Sequence, residues 1–596
     1  MKTFRQTREG MHIDFNVPIT ARDGAKLMSN IYLPMEEGVY PVIMSYGLYG
    51  KDLHYQDGYP GRYDQLLHNA PEFFVGTSGI HHCWELLDPE KWCQWGYAVC
   101  RVDSRGAGQT KGYMHPYQMK EAEDIYDVIE WLAAQPWCNG KVGMAGTSYH
   151  AVSMWDAAAL QPPHLAGFVA WEGHSDLYRD ACRHGGILCN FFDLWYDRQP
   201  NTRILYGRGR RGFHSRVTGM NASGDETLTL AEIAKNHCDF GNEVADPKNV
   251  LITDFHRQTM PDLSKMKAPY IAIVNWVGQG LHLRGSVEAY VAGGSQDKYL
   301  YAVQGPHGEM FFKDWGVNLQ KKFFGKYLKG DESAWEGMPK VRIRVPRVGD
   351  SPFTEAEGAY RDEAEFPLAR TQYTRFYLDC ENYGLAKEMP TSCGEITYRG
   401  FGPGVTFLSE PVKEEFEFTG YIKGKVFVSS ETADADLFLT VRLFGPDMKE
   451  AVFHGANARN VPVAIGWQRA SHRKQDPAKT REERPWLAHD ELWPLKPGEI
   501  VEMDVEIWPT SIVVPAGYRI GLTIGGKDHV YTGYKKPIFE VPTIDSLPEF
   551  TDGLGQIRHD DPLDRPAEVF DGNITLHFEK DKRPYLLLPI IPPKAE

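Results

Sequence analysis

Several features are missing from the 596-residue sequence, and each absence excludes a class of function, partner or site. The formal charge is −15 at pH 7 and no long run of lysine or arginine occurs, so we expect no nucleic-acid partner. No stretch resembles a membrane span or a secretion signal, so we expect a cytoplasmic protein without a membrane partner. The nine cysteines are irregularly spaced, which argues against a ladder of metal ligands and a full disulfide framework. We therefore expect buried thiols, no bound metal and no cofactor.

The composition that remains is that of an ordinary globular protein, with 42% hydrophobic and 24% charged residues. The chain is too long for one hydrophobic core, so several domains are expected. Short apolar runs at 41–46, 96–103, 141–147, 165–171, 268–276 and 298–305 suit buried parallel strands. Helical spacing at 121–135 and helix-forming residues at 151–160 alternate with these runs. This order predicts an α/β fold with a mostly parallel sheet and helices on both faces.

Two further changes of pattern divide the chain. Residues 176–254 combine aromatics, a glycine- and arginine-rich stretch and a helical segment at 228–235, which predicts a helical cap over the sheet. Beyond residue 345 the pattern alternates with frequent turn residues, as in a β jelly roll. The predicted domains are 1–175 and 255–345 for the α/β part, 176–254 for the cap and 346–596 for the jelly roll. The charged segment 470–484 is expected to be a solvated loop.

The most informative local pattern surrounds Ser148. An apolar run leads into Gly146-Thr147-Ser148-Tyr149-His150, and a helical stretch follows. A glycine two residues before a serine, between a strand and a helix, is typical of a nucleophile elbow, which exposes the serine hydroxyl. The common motif ends in glycine, whereas this sequence has His150, so the prediction depends on the flanking strand and helices.

Segments along most of the chain resemble one known group, the family of cocaine esterase, α-amino acid ester hydrolases and X-prolyl dipeptidyl-peptidases. The segments that carry the resemblance are 47–52, 103–108, 130–143, 148–149, 176–179 and 305–307. Members of this family are serine hydrolases with an α/β-hydrolase domain, a helical cap and a carboxyl-terminal jelly roll. The resemblance therefore implies the same α/β-hydrolase architecture here.

The resemblance also implies roles for individual residues. Ser148 is the nucleophile, His307 is the general base, and the hydroxyl of Tyr49 joins the N–H of Tyr149 in the oxyanion hole. The physical chemistry agrees, because a serine needs a base and His307 follows the last predicted strand. Tyr49 lies just past the strand at 41–46, within reach of a developing oxyanion.

The acid that should orient His307 is missing from its usual place. Members of the family carry an aspartate two residues after the tryptophan that ends the penultimate strand, and this sequence has Gly278 there. Glu172 ends the strand that follows the nucleophile helix, so we expect it to replace the aspartate. Asp176, Glu288, or a Ser148–His307 dyad assisted by a carbonyl or by Gln279 are the alternatives.

The substrate pocket is less well defined by the sequence. Trp171 and Trp276 end strands near the predicted cleft, and His150 follows the nucleophile, so all three are candidates for its lining; packing is an alternative for His150. The aromatics at 191–196 fit a pocket or the core equally well. His282 and Arg284 lie in a segment, 280–285, that resembles one shared by a branch of the family, and the resemblance implies that they fix the loop that carries the acid.

Together these observations predict a serine hydrolase that cleaves an ester or amide of a small organic molecule through an acyl-enzyme. A peptidase acting after X-Pro is one alternative. A weakly active protein or a ligand-binding pseudoenzyme is another, and Gly278 is the only feature that favours it. The sequence leaves the oligomeric state open, with a homo-oligomer as one outcome.

Overall fold

A computed structural model describes residues 2–350, 359–458, 460–529 and 555–594. The first half of the chain contains the strands β1 (Phe4–Arg8), β2 (Met11–Thr20), β3 (Lys26–Pro34), β4 (Tyr40–Gly47), β5 (Ala98–Asp103), β6 (Cys138–Thr147), β7 (Leu165–Trp171), β8 (Arg183–His184), β9 (Ile187–Leu188), β10 (Tyr270–Asn275), β11 (Lys298–Val303), β12 (Val341–Arg344) and β13 (Tyr360–Glu363). All of these except the β8–β9 hairpin form one 11-stranded sheet in the order β1-β2-β3-β5-β4-β6-β7-β10-β11-β12-β13.

The middle of this sheet is parallel from β5 to β12, and its two edges are antiparallel. Each of the six apolar runs in the sequence forms one of the parallel strands, which are buried almost throughout. Because parallel strands are covered on both faces, continuous apolar runs identify them well. The prediction of a mostly parallel α/β core is therefore confirmed.

The helices are α1 (Tyr55–Gly58), α2 (Pro60–Asn69), α3 (Pro89–Gln94), α4 (Met119–Ala133), α5 (Tyr149–Ala159), α6 (Phe191–Tyr196), α7 (Thr202–Ile204), α8 (Leu230–Ile233), α9 (Phe240–Ala245), α10 (Asp254–Arg257), α11 (Leu283–Ala292), α12 (Glu309–Phe312), α13 (Asp314–Lys329) and α14 (Ala567–Phe570). The longer ones, α4, α5, α11 and α13, pack against the sheet. The segment predicted as a cap holds α6 to α9, short helices joined by turns. No helix in the described ranges has the length and apolar character needed to cross a bilayer.

The second half of the chain is built from β14 (Gln372–Asp379), β15 (Gly384–Ala386), β16 (Gly394–Arg399), β17 (Val405–Leu408), β18 (Phe416–Ser430), β19 (Asp436–Phe444), β20 (Ala464–Arg469), β21 (Val501–Val514), β22 (Arg519–Gly525), β23 (Asn573–Phe578) and β24 (Tyr585–Ile591). These strands form a second sheet that closes on itself where β18 pairs with β24. We call this closed sheet the barrel. The prediction of a β-structured second half is confirmed at this level, and jelly-roll connectivity stays a prediction.

The predicted jelly-roll segment 346–596 also contains residues outside the described part, at 351–358, 459, 530–554 and 595–596. The segment 470–484 is only partly the solvated loop that its charge suggested. Its first residues, Ala470 to His472, are buried, and so is Arg484, which pairs with Glu288 of α11. Seven of the nine cysteines are buried, as expected for structural thiols.

Candidate active site

Ser148 stands on a sharp turn between β6 and α5. Its backbone angles are φ 60° and ψ −119°, and its N–H donates to the carbonyl of Trp171 over 2.9 Å. Tyr149 is the first residue of α5, so its N–H has no acceptor within the helix. The turn thus presents a hydroxyl and a free N–H to the same space, which is the geometry of a nucleophile elbow.

Two other residues of this region share the unusual backbone conformation of Ser148. Glu172 has φ 51° and Glu85 has φ 62°, both in the left-handed region that non-glycine residues seldom occupy. Strained residues of this kind persist where the surrounding structure holds them, and they concentrate at functional sites. The strained positions here are those of Ser148 and two carboxylates.

The residues that follow β6, β7, β10 and β11 lie at one edge of the sheet, because these strands are parallel neighbours. His307, after β11, places Nδ1 2.9 Å from Oε2 of Glu172, the residue after β7. The same carboxylate accepts the N–H of Gly308 over 2.9 Å and the side-chain amide of Asn275 over 3.0 Å. Glu172 is therefore tied to three donors and orients the imidazole of His307.

The surroundings of Gly278 explain how a glutamate occupies the place of the missing aspartate. A Cβ atom added at Gly278 would lie 3.8 Å from Oε2 of Glu172. The carboxylate of Glu172 thus reaches, from the end of β7, the space that a side chain at position 278 would enter. The two positions are far apart in sequence but adjacent in space.

Glu85 makes a second acidic contact with the imidazole. Its Oε1 lies 3.2 Å from Nε2 of His307, whereas its Oε2 is buried without a hydrogen-bond partner in the described chain. Burial raises the pKa of Glu85 to about 7 against the opposing effect of His307. Burial by itself would lower the pKa of His307, but Glu172 and Glu85 outweigh it and raise that pKa to about 9. At neutral pH His307 is therefore an imidazolium held between two carboxyl groups.

The hydroxyl of Ser148 is hydrogen-bonded to a different histidine. Nε2 of His282 lies 3.1 Å from Oγ, and the ring of His282 stacks on that of His307 with centroids 5.2 Å apart. Nδ1 of His282 accepts the backbone N–H of His174 over 3.3 Å. Burial lowers the pKa of His282 well below its usual value, so the ring is neutral and its one proton is on Nε2. His282 thus donates to Ser148, and within the described residues no hydrogen bond joins Ser148 to His307.

The two residues expected in the oxyanion hole lie together beside the elbow. The rings of Tyr49 and Tyr149 meet edge to face with centroids 6.0 Å apart. The hydroxyl of Tyr49 accepts the indole N–H of Trp195 over 3.1 Å, and burial raises the pKa of Tyr49 well above its usual value. The phenol therefore keeps its proton and can donate it to an oxyanion. Trp195 brings one member of the aromatic segment 191–196 to the site.

The three expected pocket residues have contacts of another kind. The ring of Trp171 packs against Phe311, and the indole N–H of Trp276 donates to the carbonyl of Arg344 over 2.9 Å. His150 donates from Nδ1 to the carbonyl of Tyr46 over 2.8 Å. All three side chains are buried in the core. These contacts support packing roles for the three residues, and lining of a substrate pocket stays a prediction for them.

The alternative acids are also engaged elsewhere. Asp176 pairs with Arg179 at 2.6 Å, and Glu288 pairs with Arg484. The side chain of Gln279 binds the barrel through the carbonyl of Val463 and the N–H of Ile465. Each is committed to a partner other than His307. In the described part of the chain, the acids in contact with His307 are Glu172 and Glu85.

Sequence reasoning missed two features of this site. Glu85 lies in a loop between α2 and α3 without a motif or periodicity, so no sequence signal marked it. His282 was noted, but as a residue that fixes a loop, and its contact with Ser148 depends on where α11 begins. The one sequence signal for such a contact was the position of His282, at the start of a helix and shortly after a strand.

Comparison with known proteins adds the family. Residues 23–309 match the sequence model of the X-Pro dipeptidyl-peptidase (S15) family, and residues 333–543 match that of the X-Pro dipeptidyl-peptidase C-terminal non-catalytic domain. Cocaine esterase of Rhodococcus sp. (strain MB1 Bresler) is 23% identical over 587 residues, which cover 86% of this chain and 90% of the esterase. The chain belongs to the hydrolase family of the X-Pro dipeptidyl-peptidases (S15). The resemblance noted in the sequence and the prediction of a serine hydrolase are thereby confirmed.

Solved structures of similar proteins support the same fold. A CocE/NonD family hydrolase from Staphylococcus aureus is 28% identical, with a TM-score of 0.80 over 98% of this chain and 94% of that chain. An α-amino acid ester hydrolase has a TM-score of 0.65 at 14% identity and covers 99% of this chain and 98% of that one. At that identity the second likeness concerns the fold alone. The hydrolase fold of this family therefore spans the sheet and the barrel together.

Proposed function

We propose that this hydrolase cleaves an ester or amide of a small organic molecule, with Ser148 as the nucleophile. Oγ of Ser148 attacks the carbonyl carbon and passes its proton to Nε2 of His307. The imidazolium then gives that proton to the leaving alcohol or amine, and an acyl group remains on Ser148. Water, deprotonated in turn by His307, releases the acid and restores the serine.

The observation that carries this proposal is the arrangement at one sheet edge of an elbow serine and a carboxylate-bound histidine. Glu172 fixes the tautomer of His307 by accepting from Nδ1, so Nε2 is the atom left for proton transfer. In the described residues His282 lies in contact with both, since its Nε2 is 3.1 Å from Oγ of Ser148 and its ring stacks on that of His307. Proton transfer therefore requires Nε2 of His307 to exchange Glu85 for Ser148 when the substrate binds.

His282 is assigned a supporting role in this mechanism. As a neutral donor it holds Oγ of Ser148 through one lone pair and leaves the hydroxyl proton free for His307. A donor on the attacking oxygen also stabilises negative charge that develops there. His282 is therefore a positioning residue and His307 the base.

The oxyanion that forms during attack is stabilised by two donors. The N–H of Tyr149 lies at the positive end of α5, and the hydroxyl of Tyr49 is aligned by Trp195. Donors that are fixed before the reaction stabilise the tetrahedral intermediate without reorganisation. The positions of both donors are set by the folded protein and do not depend on bound substrate.

Hydrolysis of para-nitrophenyl acetate tests the proposal. We expect Ser148→Ala to reduce the rate to that of the uncatalysed reaction, because no other nucleophile is proposed. Ser153→Ala, one turn further along α5, is the matched control and should keep its activity, since that hydroxyl donates to the carbonyl of His150. Unchanged hydrolysis by the Ser148→Ala protein would remove Ser148 from the mechanism.

A peptidase acting after X-Pro is the second candidate, and the S15 match over residues 23–309 favours it. Hydrolysis of an X-Pro para-nitroanilide at a higher kcat/KM than simple esters would select it. The pseudoenzyme alternative loses its main argument, since Glu172 supplies the carboxylate that Gly278 lacks. The cytoplasmic location, the predicted domain boundaries and a homo-oligomeric state stay predictions.

A further inference from the structure

Three buried side chains away from the nucleophile bring metal-binding atoms together. His184 lies on the β8–β9 hairpin, Cys189 directly follows that hairpin, and His559 comes from the second half of the chain. Their ligand atoms all lie within 4.8 Å of one another, and all three residues are buried. Two imidazoles and a thiolate form a donor set that suits zinc.

Hydrogen bonds fix the tautomer of His559. Its Nδ1 lies 2.9 Å from Oδ1 of Asp528, and its backbone N–H donates to Oδ2 of the same carboxylate over 2.7 Å. Because a carboxylate accepts hydrogen bonds, Nδ1 carries the proton and Nε2 keeps a lone pair. A carboxylate on the far nitrogen is the usual support of a metal-binding histidine.

The tautomer of His184 follows in the same way. Its Nε2 lies 3.0 Å from the backbone carbonyl oxygen of Asp180, which can only accept, so Nε2 carries the proton. The lone pair on its Nδ1 therefore faces the lone pair on Nε2 of His559 at a distance of 2.7 Å. Two neutral rings cannot share a hydrogen bond in this arrangement. A cation between the two nitrogens satisfies both.

Cys189 is buried beside the two histidines. Burial raises the pKa of this thiol to about 12, against the weaker opposing effect of the backbone N–H groups of Phe191 and Arg558. The thiol is therefore protonated when no metal is bound, and a metal ion that binds the sulfur would replace that proton. The ring of Trp467 stacks on that of His184 with centroids 4.7 Å apart, and its centroid lies 5.4 Å from that of His559. The indole therefore shields both histidines.

We propose that His184, Cys189 and His559 bind one zinc ion. Zinc–nitrogen bonds of about 2.0–2.1 Å place two nitrogens roughly 3.3 Å apart, so the rings need to separate by only about half an ångström. Three protein ligands leave one tetrahedral position for a water molecule. The two histidines are 375 positions apart in the sequence, so the ion joins the β8–β9 hairpin to the second half of the chain. The ion is proposed as a link between these two segments and not as a participant in the steps proposed at Ser148.

Metal content of the whole purified protein tests the site directly. We expect about one zinc per chain by inductively coupled plasma mass spectrometry after purification with a reductant and without chelators. Cys189→Ser and His559→Gln should each lose most of that zinc. Cys93→Ala, which removes another buried cysteine, is the matched control and should keep it.

A second measurement keeps the proposal testable if the variants fail to fold. X-ray absorption at the zinc edge of the unaltered protein should show two nitrogen ligands and one sulfur ligand. Removal of zinc with dipicolinate should lower the Tm, and added Zn²⁺, but not Mg²⁺, should restore it. Absence of zinc combined with no effect of added Zn²⁺ on the Tm would overturn the site and leave a shared proton between the imidazoles. Copper at the same ligands would overturn the choice of ion.

Discussion

The hydroxyl oxygen of Ser148 lies 3.1 Å from Nε2 of His282, while the histidine proposed as its base, His307, is bonded to Glu172 and Glu85. The site therefore contains two histidines with different tasks. One is neutral and donates to the nucleophile. The other is charged at neutral pH and must lose a proton before it can act as a base. The predictions below separate these tasks.

Removal of the His282 side chain should lower kcat and leave the base in place. We expect His282→Ala to reduce kcat by about tenfold with little change in KM, the effect of one lost hydrogen bond. His282→Gln, which keeps an N–H donor, should recover part of that loss. The pH dependence of kcat/KM should be the same in all three proteins, because His307 titrates in each. Loss of the ascending limb in His282→Ala would identify His282 as the base.

The pH dependence of kcat/KM should report the two carboxyl groups around His307. A general base works when it is deprotonated, so activity should rise with pH through the His307 pKa of about 9. Glu85→Gln removes one of the groups that raise this pKa, so the ascending limb should move to lower pH. An ascending limb that stays in place would show that Glu85 does not interact with the base during catalysis.

Replacement of Glu172 should be severe. Glu172→Gln is expected to lower kcat by about 10³- to 10⁴-fold, since the tautomer of His307 is no longer fixed. Asp156→Asn is the matched control, because that carboxyl is also buried, its burial raises its pKa well above the usual value, and the described residues show no contact between it and His307. An unchanged kcat in Glu172→Gln would clear this residue of the role.

The position of Gly278 offers a rescue experiment. Since a Cβ at this position would lie 3.8 Å from the Glu172 carboxylate, an aspartate there should approach His307. We expect Glu172→Ala combined with Gly278→Asp to recover about a tenth or more of the activity lost in Glu172→Ala alone. No recovery in a folded double variant, judged by its Tm, would mean that the two positions are not equivalent.

Tyr49 should contribute to the transition state rather than to binding. Tyr49→Phe removes the hydroxyl donor and should lower kcat by about 10²-fold, with KM nearly unchanged. Tyr59→Phe is the control, because that tyrosine packs against the ring of Tyr49 without being assigned to the oxyanion. A change confined to KM would place Tyr49 in substrate binding.

Much of this molecule follows from local patterns in the sequence. The parallel strands are continuous apolar runs, and the elbow serine is marked by the glycine before it and the helix after it. Glu172 could be predicted because it ends a strand next to the one that carries Ser148, and parallel neighbours end at one edge. These inferences need only periodicity and the order of elements.

The remainder depends on contacts between distant segments. Glu85 reaches His307 from a loop with no regular pattern, and His282 reaches Ser148 because α11 begins where it does. Closure of the barrel likewise depends on the pairing of β18 with β24, which alternation alone does not predict. The indoles of Trp171 and Trp276 show the same limit, since a strand end fixes their position but not the direction of the side chain.

The central claim is that Ser148 is the nucleophile, and covalent labelling tests it most directly. The whole protein is treated with a fluorophosphonate, digested and analysed by peptide mass spectrometry, with the Ser153→Ala protein as the control. The account predicts one phosphonyl group on the peptide that contains Ser148, and no labelling of the Ser148→Ala protein. A folded, esterase-active protein that carries the label on another residue, or is labelled equally without the Ser148 hydroxyl, would contradict it.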